Sequence, residues 1–446
     1  MQPKRVNELL TNLGRVNDDG EWVCDQIPIS EITQRFGTPL FVYSGRNLKE
    51  RIETVRNALG DDVDLFFSLK SNPSVGLCQI IASKGLGAEL ASIGEIHVAR
   101  AAGFAPRTVI FAGPGKTDEE LEAAVKWGIG SINVESEGEL GRLARIAAEQ
   151  SRRTRVCLRI NPLEQVKGAQ MRMGGGPNQF GIDEEAVDLI VDTWRNHQWV
   201  DIVGIHVYVG TQLFDVPAML KHHEHVVSLA QRVAEQLGRP LEMINFGGGF
   251  AIPYFESSVP FDLSQFSVGF KKILENVKAS RLLQDARVII ELGRYLVAEA
   301  GVYVTRVVDV KTSRGVDYVV TDGGMNHHIA ATGNFGQVFR KPYPMAVLNK
   351  LGEPSEQCAN IVGPCCTPLD VFGQNIPVPK VAPGDLVGVF YSGAYGYSAG
   401  SLRFLSHPTP AEVLVSGQEI FSLRQPGDSA DVLLGQVVLD DSVVSS

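Results

Sequence analysis

The 446-residue sequence predicts an α/β chain, a (β/α)8 TIM barrel followed by a C-terminal all-β domain, on three observations. Between about residues 40 and 300, short apolar runs rich in Val, Ile, Leu and Phe alternate eight times with longer helical patterns. After about residue 302 the helical period stops, and short β-type runs separated by Gly and Pro take over. The length exceeds one ordinary core and suits a barrel of about 250 residues with a second domain beside it.

The expected strands lie at 64–69, 87–91, 108–112, 131–134, 155–160, 202–207, 242–246 and 286–292. Each but the last is followed by a helical pattern, at 75–84, 93–102, 117–127, 138–149, 184–196, 217–237 and 263–277. The third helix opens on Thr117-Asp118-Glu119-Glu120, a capping box. Beyond the barrel, 302–308, 317–320 and 385–390 read as strands. The first 38 residues, with Trp22-Val23-Cys24 and Leu40-Phe41-Val42-Tyr43 flanking a polar stretch, are too few for a core of their own and are expected to pair with them. The predicted borders are therefore 39–302 for the barrel, and 1–38 with 303–446 for the β domain.

The formal net charge of −10 and the absence of a clustered basic run argue against a nucleic-acid partner. The N-terminus lacks the apolar core of a signal peptide and no stretch reaches 18 uninterrupted apolar residues, so a soluble cytoplasmic protein without membrane contact is expected. Six cysteines without C-x-x-C spacing suggest neither a disulfide framework nor a zinc site. No metal site is indicated. Lys221-His222-His223-Glu224-His225 lacks H-E-x-x-H spacing and His327-His328 is an adjacent pair, and both are expected on solvated faces.

In a barrel of this kind the working groups stand at the C-terminal ends of the strands. Lys70 follows the first strand, where Asp64-Leu65-Phe66-Phe67-Ser68-Leu69 delivers one amine into a polar turn, as a lysine that carries a carbonyl cofactor is presented. Glu89 ends the second strand and Arg159 the fifth, and His206 and Tyr208 end the sixth on one face. Gly247, Gly248 and Gly249 follow the seventh strand, where bare backbone N–H groups suit a phosphate. Glu291 and Arg294 close the eighth. A carboxylate at a pyridine nitrogen keeps that nitrogen protonated and makes the ring an electron sink, whereas an arginine there suits a racemase. Gly113-Pro114-Gly115-Lys116-Thr117 ends like a P-loop, but Ile110 stands where the first glycine belongs.

With these residues in hand, the chain resembles the fold type III pyridoxal-phosphate decarboxylases, the diaminopimelate, ornithine and arginine decarboxylase family, over essentially its whole length. Phe67-Ser68-Leu69-Lys70-Ser71-Asn72 resembles the family's cofactor-lysine motif, Gly247-Gly248-Gly249-Phe250 its phosphate loop, and Glu291-Leu292-Gly293-Arg294 its Glu-Pro-Gly-Arg, with Leu292 in place of proline. Gly363-Pro364-Cys365-Cys366-Thr367-Pro368-Leu369-Asp370 and Gly393-Ala394-Tyr395-Gly396 resemble segments that a partner subunit inserts. The resemblance implies an alanine racemase-like barrel and a homodimer with composite active sites. It implies pyridoxal 5'-phosphate as cofactor, held through Lys70, Glu89, Arg159, His206, Tyr208, the glycine triplet, Glu291, Gly293, Arg294 and Tyr395. It also makes Lys70, Glu291 and Cys366 the catalytic residues, with Cys366 the proton donor.

The departures bear on the substrate. Where diaminopimelate and ornithine decarboxylases carry an acidic residue after the catalytic cysteine, this chain has Thr367, which offers no charge to a distal ammonium. Tyr208 replaces the family's stacking histidine, and Gln179-Phe180-Gly181 its Lys-Phe-Gly. With Met171-Arg172-Met173-Gly174-Gly175 these features look most like the butirosin-type subgroup, which acts on a glutamyl group tethered to an acyl carrier protein. Arg294, Arg340, Tyr343 and Thr367 are the substrate-side candidates, and Arg340 with Lys341 would meet an acidic carrier. The alternatives are a diaminopimelate or other free diamino-acid decarboxylase and, from another class, a catalytically silent homologue that binds a protein partner.

Overall fold

The computed structural model describes residues 4–163, 171–172, 174–335, 341–440 and 443. The chain divides into two compact units, one formed by Gly45–Ala300 and the other by Met1–Ser44 with Gly301–Ser446.

The first unit is a closed parallel barrel of eight strands: β1 (Val63–Ser68), β2 (Gly87–Leu90), β3 (Val109–Phe111), β4 (Ser131–Val134), β5 (Thr154–Asn161), β6 (Val200–His206), β7 (Met243–Gly248) and β8 (Arg287–Leu292). Each pairs with the next, and β8 closes on β1 through registers such as Leu292 with Phe67. The strands read as almost continuous apolar runs because both faces are covered. Phe66, Ile110, Cys157, Val203, Met243 and Ile289, each no more than 1 % exposed, pack as one cluster. Burial in this interior pushes the Cys157 thiol up to about 12.

Helices follow the strands as expected: α1 (Gly45–Leu59) precedes β1, and α2 (Val75–Ser83), α3 (Ile93–Ala101), α4 (Asp118–Trp127), α5 (Glu137–Glu149), α6 (Val187–Trp194), α7 (Val216–Leu237) and α8 (Leu263–Ala279) alternate with the strands. Many begin on a side-chain cap that stops the strand-exit loop short. Ser92, Thr117, Ser136, Asp215 and Asp262 accept the backbone N–H three residues on, and Thr117 with Glu120 completes the capping box. After β2, β3 and β4 the exits are short and end on such a cap, which fixes the direction of the strand ends there.

The second unit is a mixed sheet in the order Val371–Val378, Gln357–Val362, Val316–Thr321, Gly301–Ser313, Leu40–Ser44, Ala411–Ser416, Glu419–Arg424, with Leu386–Val389 pairing Gly301–Ser313 and Met345–Val347. Leu40–Ser44 is buried throughout and lies between Gly301–Ser313 and Ala411–Ser416. The apolar run at 40–44 thus belongs with the β unit, and the division falls at 44/45 and 300/301 where the sequence reading drew 38/39 and 302/303. Trp22 joins the same unit, its backbone N–H donating to Leu348 O at 2.8 Å.

The histidine runs differ from expectation. His222, His223, His327 and His328 are buried and not on solvated faces. His223 lies against the rings of Phe246, Phe266 and Phe270 at 5.2–5.7 Å, and burial drives its imidazole well below the usual value. The helical period placed His222 and His223 on α7 but could not tell which face of α7 meets the barrel.

Candidate active site

The polar groups of the barrel gather at the C-terminal ends of its strands. Directly after β1, a 3-10 turn over Leu69–Ser71 carries Lys70 out of the apolar wall. Its Nζ donates to both carboxylate oxygens of Glu89 on β2, at 3.1 and 3.0 Å. Glu89 is 1 % exposed while the Lys70 side chain is 42 % exposed, so the anchor is buried and the amine can be reached. The ring of Tyr208, just past β6, has its centroid 5.8 Å from the same nitrogen.

On β8, the neighbour of β1 on its other side, stands Glu291, 4 % exposed. Asn245 of β7 donates through Nδ2 to Glu291 Oε1 at 2.7 Å, and its Oδ1 accepts the N–H of Gly247 at 2.9 Å. His206 at the end of β6 brings Nε2 to 3.4 Å from Glu291 Oε2. Neither His206 ring nitrogen has a hydrogen-bond partner among the described residues, which leaves the imidazole as a close polar neighbour of the carboxylate. Burial opposes ionisation of Glu291, but His206, Lys70 and the Asn245 amide outweigh it and hold the carboxyl at about 2.

The glycine turn after β7 leaves no room for side chains. Gly247 has φ +64°, and a Cβ on Gly248 would sit 1.7 Å from the carbonyl oxygen of Glu291. The turn therefore presents bare backbone beside a buried, charged carboxylate, an imidazole with unpartnered nitrogens and an accessible lysine. Those features suit a phosphorylated pyridine aldehyde: N–H groups for the phosphate, a carboxylate for a protonated ring nitrogen, an amine for the carbonyl, and the Tyr208 face for the ring.

Comparison with known proteins agrees with this fit. Residues 45–298 match the family described as pyridoxal-dependent decarboxylase, pyridoxal binding domain. The chain belongs to the pyridoxal-dependent decarboxylases. It is 38 % identical over 423 residues to the L-glutamyl-[BtrI acyl-carrier protein] decarboxylase of Niallia circulans, covering 94 % of this chain and 98 % of that one. It is 31 % identical to the diaminopimelate decarboxylase of Aquifex aeolicus, over 91 % and 93 % of the two chains. The crystal structure of diaminopimelate decarboxylase from Helicobacter pylori complexed with L-lysine superposes with a TM-score of 0.82 at 28 % identity, covering 91 % of this chain and 98 % of that one. The protein is thus a pyridoxal-phosphate-dependent amino-acid decarboxylase, with the barrel and sheet domain of that family.

Other predicted residues of the decarboxylase have different surroundings. Arg159 donates to Glu135 Oε1 at 2.6 Å and lies 4.9 Å from the Phe180 ring. Glu135 also accepts the N–H groups of Gly113 and Gly181, so Arg159 is fixed by two loops. Lys116, which made Gly113–Thr117 look like a P-loop, is buried and donates to Gly113 O, Asn133 O and Glu139 Oε1 at 2.6–2.8 Å. Arg294, after Gly293, donates to the Tyr254 hydroxyl at 3.5 Å.

Cys366, Thr367, Tyr343 and Tyr395 stand in the β unit. Cys366 is exposed and Thr367 partly so. Buried Asp370 accepts the N–H groups of Cys365 and Met325 at 2.8 and 2.7 Å, fixing the loop that carries them. Tyr395 faces Phe335 with ring centroids 5.9 Å apart, and Tyr343 meets the His328 ring edge-on. Arg340 and Met173 lie outside the described residues. The sequence reading passed over Asn245 and Glu95. An asparagine inside the apolar run Met243-Ile244-Asn245-Phe246, two residues before the glycine turn, was the available signal for the first.

Proposed function

We propose that this decarboxylase acts on an α-amino acid presented without a free distal ammonium, a glutamyl-type group tethered to an acyl carrier protein. The observation that carries the reading is Thr367. Its hydroxyl accepts the Leu369 N–H at 3.3 Å, and the loop's buried carboxylate, Asp370, is occupied by two backbone N–H groups. A distal ammonium would find no carboxylate partner on this loop, and an unpaired charge in a closed site costs several kcal/mol, about 3–5. The similarity to the Niallia circulans protein, named for a carrier-bound glutamyl substrate, supports the same reading.

In this proposal Lys70 carries the cofactor, with Glu89 orienting its amine and first to take its proton. When bound, pyridoxal phosphate supplies the electron sink for the negative charge left at Cα as carbon dioxide departs. Glu291 keeps the ring nitrogen protonated, Gly248 and Gly249 take the phosphate while Gly247 shapes the turn through the N–H it gives Asn245, Tyr395 meets the phosphate or cofactor from a second copy of the chain, and Arg159, His206, Tyr208, Gly293 and Arg294 frame the cofactor. Cys366 returns a proton to Cα, reaching the site of a second copy of the chain in a head-to-tail homodimer. Tyr343 and Arg340 belong to the substrate side. Six cysteines, all free, suit the reducing cytoplasm proposed as its location. Among the described residues no helix is long and apolar enough to cross a membrane.

The second reading, a free diamino-acid substrate, is favoured by the similarity to diaminopimelate decarboxylases. Mass spectrometry of products from cofactor-loaded protein separates the two. Loss of CO2 is expected from a glutamyl group on a carrier protein and only trace loss from free diaminopimelate, ornithine or lysine. Efficient turnover of a free diamino acid overturns the carrier reading.

A further inference from the structure

Asn245 is 1 % exposed and uses both ends of its amide. Because Oδ1 accepts the Gly247 N–H at 2.9 Å, the NH2 group must face Glu291, where it donates at 2.7 Å. One side chain therefore touches both the turn assigned to the phosphate and the carboxylate assigned to the ring nitrogen. These are the two anchoring points of the cofactor proposed above, and the inference rests on that reading.

We propose that Asn245 is a positioning residue that sets the glycine turn and the Glu291 carboxylate in register with one another, so that the cofactor's phosphate and ring nitrogen are received at one fixed separation. A flexible link would let the two anchors drift, whereas a planar amide held at both ends does not. The neighbouring backbone is equally constrained, since β7 and β8 pair Asn245 with Ile289 and Gly248 with Glu291 across a register shift. The amide spans that irregularity from the side-chain layer. The charged and titratable groups around Glu291 are His206 from β6, Lys70 with its partner Glu89 from the β1 and β2 exits, and Cys157 below on β5.

The two halves of the link can be separated by substitution. Asn245→Ala removes both. Asn245→Asp keeps the acceptor for Gly247 N–H but sets a second carboxyl against Glu291, so the pair must share a proton. The readouts are the affinity ratio of pyridoxal phosphate to pyridoxal, measured by equilibrium dialysis, and the pH dependence of the bound cofactor's visible absorbance. For Asn245→Ala the ratio is expected to fall by about tenfold, the scale of one buried hydrogen bond. For Asn245→Asp the ratio is expected to stay within about threefold of wild type while a new titration appears in the visible band.

An unchanged ratio in Asn245→Ala overturns the proposal, as does an Asn245→Asp variant that loses the ratio or gains no titration. If Asn245→Ala does not fold, Asn245→Asp alone decides by the same criteria. Failure of the underlying reading is distinguishable, because Glu291→Gln would then leave both the affinity for pyridoxal phosphate and the visible band of the bound cofactor as in wild type.

Discussion

Glu291 and Glu95 both feel the charge of Lys70, yet their surroundings drive them in opposite directions. Glu291 is held at about 2 because His206, Lys70 and Asn245 overcome its burial. Glu95, in the first turn of α3, is pushed up to about 7 by burial and by the charge of Glu89, with the Ala91 N–H and Lys70 opposing too weakly to prevent it. A pair of carboxyls separated in this way gives one permanent anion and one group that exchanges a proton near neutrality. The sign of the stability effect differs accordingly. The Glu291 contribution is present above the ordinary carboxylate range and is lost as pH falls toward 2. The Glu95 contribution is full below about 4.5 and is lost as pH rises through 7, because the unfolded chain ionises first. Glu95→Gln, which keeps an acceptor for the Ala91 N–H, is therefore expected to stabilise cofactor-free protein by on the order of 2 kcal/mol at pH 8. Little change is expected at pH 4.5. Urea denaturation at the two pH values checks this, and an equal effect at both would refute the assignment.

At the scale of elements, the glycine turn at the end of β7 is closely constrained by the neighbouring strand. A Cβ at Gly248 would meet the Glu291 carbonyl oxygen, a main-chain atom of the paired strand that cannot rotate away. Gly248→Ala is expected to cost about 3 kcal/mol in a denaturant series, the upper end for overpacking, and to weaken pyridoxal phosphate binding. Wild-type stability in that variant would show that the β7 and β8 ends are looser than their registers indicate. The eight strands and the helices between them were legible in the sequence because parallel strands buried on both faces leave unbroken apolar runs and helices keep their period, and the Thr117–Glu120 capping box was legible as a local signature. The strand-exit positions of Lys70, Glu89, His206 and Glu291 followed from those runs. What stayed illegible depended on contacts between distant segments. Leu40–Tyr43 is expected from the sequence to pair with the β strands, but only its registers with Gly301–Ser313 and Ala411–Ser416 carry the border past it to 44/45. Asn245 looks like an interruption of a strand until Glu291 is found 2.7 Å away, and although Ile110 already speaks against a P-loop, the role of Lys116 is not visible until Glu139 is found beside it. Side chains of α7 gave their period but not their partners, which is why buried His222 and His223 read as solvated.

At the scale of the whole molecule, the proposed catalytic set is divided between the two units. Lys70 and Glu291 belong to Gly45–Ala300, and Cys366 with Tyr395 to the β unit. If the Cys366 loop of one copy completes the barrel site of another, defects in the two units must complement each other. Lys70→Ala and Cys366→Ala proteins are each expected to be nearly inactive alone. After mixing under conditions that exchange subunits, half of the dimers formed at equal concentrations carry one substitution in each chain. In such a dimer one site inherits both substitutions and the other neither. Activity should therefore recover to about a quarter of the wild-type value, the fraction fixed by two-fold symmetry. A site built within one chain predicts no recovery, because every site would then keep its own defect whatever its partner. The recovered fraction thus reads the ownership of Cys366 directly, and it does so whichever carrier-bound or free amino acid is the natural substrate, provided one substrate gives a measurable rate.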